Sequence, residues 1–306
     1  MKKHAAFTMV ELIFVIVIMG IIGKFGVEFL AKAYQSFIFS KINNELQSKS
    51  ETAVETIAAR LQYRIKDSVI ARTSTNANPI AIADATGSNY KVLEWVGIAQ
   101  ESRRGLSLQA HGTPYLPDWS GIIDLNAGNQ HILVSPQTDT ANVNTMIGDL
   151  SDRNTTIDDA AIYFVGANSN VQTGYGWSGT NAGNGKLITQ QGAMHPIKRV
   201  AGIANAFTSS NGVDFSGVDV YEYYLLAWTA YAIVYEPGTN NKGTLRLYYD
   251  YQPWNGEKMT DGKNSILMTD VSTFQFMSIG SIMKIQVCTK SDLAEEYSLC
   301  KEKTIF

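Results

Sequence analysis

From Phe7 to Ile22 the chain is apolar apart from Thr8, Glu11 and the small Gly20. A run of this kind predicts a membrane-crossing helix. Phe7 to Ile22 rises only about 24 Å, so spanning a ~30 Å hydrocarbon core requires the helix to continue to about Leu30. Lys24 and Glu28 then fall near the outer interface, spaced to pair at i, i+4. Gly20, Gly23 and Gly26 make the same zone locally soft. Beyond it the pattern becomes amphipathic. Tyr34, Ile38, Ile42, Leu46, Ala53, Ile57, Leu61 and Ile65 recur at helical spacing with Lys, Glu, Gln and Ser between them. The periodicity predicts one helix from Phe7 to roughly Val69, about 95 Å long, which needs a structure to lie along.

Thr, Ser and Asn residues before Pro79 end the helical pattern. Short β-type runs follow at Tyr90 to Ile98, Gly105 to Gln109, Ile132 to Ser135 and Ala160 to Val165. The stretch from Gly166 to Gly192 reads as a long surface loop. Tyr221 to Glu236 and Thr244 to Gln252 predict a β-hairpin. Ser265 to Asp270, Ser272 to Ser278 and Ser281 to Val287 predict three more strands. The fold class is therefore α+β, with one very long N-terminal helix packed on a C-terminal antiparallel β-sheet head.

Within the apolar run Glu11 demands an explanation, because an acid at bilayer depth costs about 2.5–3.5 kcal/mol on insertion scales. Cleavage between Ala6 and Phe7 would supply one. The new ammonium at Phe7 then lies one helical turn from Glu11, and a first-turn carboxylate offsets both that charge and the orphan N–H groups. The amine of a neighbouring subunit would serve equally. An ordinary secretory signal seldom carries an acid in its apolar core and is cut after it, whereas a plain anchor leaves Glu11 unexplained.

The basic leader with Lys2 and Lys3, the small Ala6, and then F-T-M-V-E before an apolar helix resemble the signal of type IV pilins and type II secretion pseudopilins. That family usually has Gly where this chain has Ala6. The resemblance implies that a prepilin peptidase cuts between Ala6 and Phe7 and N-methylates Phe7, and that Glu11 guides assembly with other pilin or pseudopilin subunits. It also implies a leader at 1–6, a transmembrane helix half at 7–30, an amphipathic half at 31–70, and a β-rich periplasmic head at 71–306. Lys2 and Lys3 keep the leader cytoplasmic by the positive-inside rule. The head of such an inner-membrane protein is drawn with it into a periplasmic filament.

In the C-terminal third the order of elements resembles a J-type minor pseudopilin. The matching residues are Ala232, Val234 and Tyr235, then Gly243, Leu245 and Tyr248, then Leu267, Val271 and Phe274. The cysteines, Cys288 and Cys300, would sit in an oxidising compartment, where pairing is the default. Their spacing resembles the C-terminal disulfide loop of many pilins. A bridge there adds about 3 kcal/mol on the chain-entropy model, with two independent thiols as the alternative. Between them, a segment beginning at Ser291 has the composition of one or two helical turns.

Composition narrows the function classes. A hydrophobic content of 45% with 17% charged residues suits a globular body, and a net charge of −3 lacks the basic excess of a duplex-binding protein. No nucleic acid is expected as a partner. Gly174, Gly176 and Gly179 spell G-x-G-x-x-G without the strand and helix that a dinucleotide site needs, and Gly185-Lys186 lacks the rest of a phosphate-binding loop. His4, His111, His131 and His195 have no ligand spacing, and Asp149, Asp152, Asp158 and Asp159 lack calcium-loop spacing. No catalytic residue, metal or cofactor is expected. The reading is a structural minor pseudopilin of a type II secretion system, with secreted proteins as candidate cargo. The alternatives are a minor pilin of a type IV pilus or DNA-uptake filament, or a tethered binding domain holding a glycan on Trp177, Trp228 or Trp254.

Overall fold

The computed structural model describes residues 8–103, 117–179, 192–210, 214–291 and 298–306. Helix α1, Met9–Leu61, is continuous through its glycines and about 80 Å long. It ends before the expected Val69. Arg64 bridges to Gly97, Ile65 N–H donates to Val96 O at 2.9 Å, and Ile70–Arg72 becomes a strand. The β-branched residues there lose less by pairing with a sheet than by extending a helix.

Among the described residues thirteen strands follow: β1 (Ile70–Arg72), β2 (Ile80–Ala81), β3 (Val92–Gly97), β4 (Leu133–Val134), β5 (Ala161–Phe164), β6 (Met194–Val200), β7 (Ile203–Ser209), β8 (Tyr224–Ala227), β9 (Thr229–Glu236), β10 (Gly243–Tyr249), β11 (Lys263–Ile279), β12 (Ile282–Lys290) and β13 (Ser298–Ile305). They form two sheets, ordered β13-β12-β11-β10-β9-β3-β1-β2 and β4-β7-β6-β5-β8, with every pairing antiparallel. The short helix α2 (Gln100–Arg103) and helix α3 (Thr140–Leu150) lie between β3 and β5 in the chain.

The larger sheet curls around the second half of α1. Ala53, Val54, Ile57, Ala58 and Leu61 share one core with Leu93 and Trp95 of β3, Ile233 of β9, Met283, Ile285 and Val287 of β12, and Ile305 of β13. The turn at Ile82–Asp84, which follows β2, packs on β11 although the two strands stand far apart in sheet order. Burying a side chain such as Ile57 or Leu61, both fully buried, contributes about 1.5–3 kcal/mol. The other face of β3 and β9 is covered by Tyr163, Tyr175, Trp177, Tyr251 and Trp254. A third core joins Val143 and Ile147 of α3 to Trp119, Phe207 and Tyr224.

Several sequence expectations change. The run Tyr221 to Glu236 divides at Trp228, where the chain passes from β8 in the smaller sheet to β9 in the larger. Ser265 to Asp270 and Ser272 to Ser278 are one strand, β11, with a register shift after Val271 and Asp270 at φ +60°. A left-handed Asp bends a strand without ending it. The strand expected at Ser281 to Val287 is β12, which runs on through Cys288 to Lys290, and a further strand, β13, follows it. Gly105 to Gln109 lies outside the described residues, as does 292–297, most of the segment expected to be helical.

Candidate functional site

At the start of α1, Thr8 has extended backbone and caps the helix. Its hydroxyl oxygen accepts from Glu11 N–H at 3.4 Å, and Glu11 Oε2 accepts from Thr8 N–H at 3.0 Å and from Thr8 Oγ1 at 2.9 Å. This reciprocal box fixes the carboxylate over the first turn, where the helix dipole favours negative charge. Sequence reasoning found Glu11 and passed over Thr8, although T-x-x-E before an apolar run was the available signal. Ala6 and Phe7 lie outside the described residues.

Every side chain from Met9 to Phe37 is exposed, among them Phe14, Phe25, Phe29 and Phe37 at 64–72%. The first buried position on α1 is Ile42. Among the described residues α1 is the helix long and apolar enough to cross a membrane, and none of the window that meets this test is buried. Among the described residues Lys24 and Glu28 do not pair with each other, whereas Glu45 and Lys49 of α1 pair at i, i+4 with 2.7 Å between them.

One buried polar network joins elements of the head. Arg72 Nε donates to Glu94 Oε2 at 2.8 Å, its other nitrogens donate to Ala77 O and Trp177 O, and Tyr251 Oη donates to Glu94 Oε1 at 2.9 Å. Burial pushes the Glu94 carboxyl up, against the opposing Arg72 charge, and pushes the Tyr251 phenol up as well. This network ties the glycine-rich loop to β1 and β3. Gly176 of that loop has φ +86°, and a Cβ there would meet Pro253 O at 2.1 Å. The G-x-G-x-x-G spelling thus serves close backbone packing.

The aspartates separate. Asp149 lies on α3 rather than in a loop, Asp152 pairs with Lys263 at 3.1 Å, Asp158 pairs with Arg199 at 3.0 Å, and Asp159 caps Thr156. Among the described residues no group of three or more His, Cys, Asp and Glu side chains is placed to hold a metal. His131 is exposed near Asp214 and His195 is buried against Phe164, while His4, His111 and Gly185-Lys186 lie outside the described residues. Trp177, Trp228 and Trp254 are all buried, which removes the aromatic surface that a tethered glycan binder would present on them.

Cys288 and Cys300 stand directly opposite each other in β12 and β13, with sulfurs 2.08 Å apart, and form a disulfide-capable pair. The residues resembling a J-type pseudopilin fall on adjacent strands. Tyr235 faces Leu245, Ala232 faces Tyr248, and Gly243 faces Val271.

Residues 1–23 match the family model of the prokaryotic N-terminal methylation motif. No curated protein and no solved structure matches the chain. A motif of this kind implies processing by a prepilin peptidase and assembly with other pilin subunits. With the apolar first half of α1, it supports a type IV pilin-like protein held by a single-pass inner-membrane anchor.

Proposed function

We propose that this chain is a structural minor pseudopilin of a type II secretion system, closest in kind to the J type. The observation that carries the reading is Glu11, set by Thr8 at the mouth of an uncovered apolar helix, with Oε1 left outside the capping box. Cleavage between Ala6 and Phe7 removes residues 1–6 and exposes an amine that is then methylated. Residues 7–30 cross the bilayer, 31–70 carry the chain into the head, and 71–306 form that head in the periplasm. During assembly the helix leaves the bilayer, Glu11 meets a Phe7 amine, apolar helix faces pack together, and heads displace secreted protein. Glycines 20, 23 and 26, with no neighbouring atom within 4 Å of an added Cβ, are the turn that yields during packing. The paired β9, β10 and β11 residues support the J-type assignment, and bridging of Cys288 to Cys300 fastens β13 to the sheet.

Glu11→Val tests the reading. The account expects a variant that stays in the membrane, folds its head and loses assembly. Unchanged assembly would favour a simple tether. A deletion strain that secretes normally but fails to take up DNA would move the chain to a DNA-uptake filament.

A further inference from the structure

The outer face of the β11–β12–β13 corner carries a polar row that neither the core nor α1 uses. Gln275 stands opposite Gln286, and Gln286 opposite Glu302; one row along, Met277 stands opposite Lys284 and Lys284 opposite Thr304. Residues opposite one another in antiparallel strands share a face, and the alternate positions Phe274, Ile285 and Val287 pack in the α1 core. This row therefore points away from α1. Residues 82–88 stand beside it as a wall, leaving a cleft of about 530 Å³, within the 300–1,000 Å³ common for small-molecule sites.

The cleft offers an unusual set of groups. Among the described residues, the side chains of Gln275, Gln286, Thr86 and Ser88 make no hydrogen bond to the protein. Its cation, Lys284, is neutralised by Glu302 at 2.8 Å, so a phosphate finds no free charge. Its aromatic lining residue is Phe276, whose ring packs against Phe274 and the α1 core and so is not free to stack on a base. Free amides suit a partner that donates and accepts at one point, and Met277, 46% exposed, offers an apolar spot beside them. An acetamido group has this chemistry. Its N–H and C=O would pair with a glutamine amide and its methyl would rest on Met277, with Thr86, Ser88 and Glu302 in the same lining to take ring hydroxyls. We propose that the cleft binds a short oligosaccharide of N-acetylated amino sugars. The site lies apart from the exposed half of α1 and does not depend on the filament reading.

The test uses the full chain in a detergent without a sugar headgroup, titrated with the N-acetylglucosamine trimer and, separately, with cellotriose. Heat is followed by calorimetry and the Met277 methyl by NMR. The expected result is saturable binding of the trimer with a shifted Met277 methyl, and none of cellotriose. Gln286→Ala and Gln275→Ala, both on the outer face, should each weaken binding about tenfold at unchanged circular dichroism, the worth of one or two neutral hydrogen bonds. Absence of trimer binding, equal binding of cellotriose, or full affinity in both variants would overturn the proposal.

Discussion

Lys303 Nζ lies 2.5 Å from Glu55 Oε1 and, one helical turn earlier, Lys301 Nζ lies 3.7 Å from Glu51 Oε2. Four helical residues rise about 6 Å and two strand residues about 6.8 Å, so α1 and β13 run parallel with matched charge spacing. These pairs are exposed, and the packing energy lies beneath them. Glu51→Ala and Glu55→Ala should each cost under about 1 kcal/mol, against about 2–5 kcal/mol for Ile57→Ala. Denaturant titration of the full chain in detergent checks the ranking. A larger loss from either glutamate than from Ile57 would mean that the pairs, not the core, hold α1.

The Arg72–Glu94 pair makes the opposite prediction because both side chains are buried. Removing one partner leaves a charge without compensation, so Arg72→Met should cost about 3–5 kcal/mol. The double variant Arg72→Met, Glu94→Gln should recover part of that loss. Urea unfolding of the two variants measures this directly, and equal losses in both would show that the ionised Glu94 is not the source of the cost.

Acid sensitivity should come from pairs such as Asp158 with Arg199. Burial pushes the Asp158 carboxyl up, but hydrogen bonds from the Arg199 side chain and backbone, with its charge, outweigh burial and hold it below 3.8. A depressed carboxylate adds stability above its unfolded value and loses it as pH falls through its folded value. Asp158→Asn should therefore be less stable than the parent at neutral pH, by under about 1 kcal/mol for so exposed a pair, with the gap closing below about pH 4. Thermal melts across that range test it. A constant gap would assign the effect to geometry and not to charge.

The long helix and its acid were legible because an apolar run and a continuing 3.6 period leave few alternatives. The β9–β10 hairpin was legible from its aromatic and β-branched residues. Other elements were hidden for physical reasons. Pro196 lacks a donor and argues against a strand, yet it sits inside β6 opposite Ala161. Helix α3 buries few apolar side chains, Val143 and Ile147 among them, so its period is faint, and Asp139 capping Ala141 and Asn142 was its better signal. The division at Trp228 is a tertiary choice between two sheets, which a local run of β-formers does not encode. At the functional end Glu11 stood out by cost, while Thr8, the residue that aims it, needed the capping pattern to be found.

The most direct measurement is the N-terminal residue of the protein purified from its own membrane, read by intact mass and terminal fragmentation. The account predicts a chain that starts at Phe7 and carries one methyl group on its amine. A chain that retains Met1 through Ala6, with Phe7 never exposed, would contradict it.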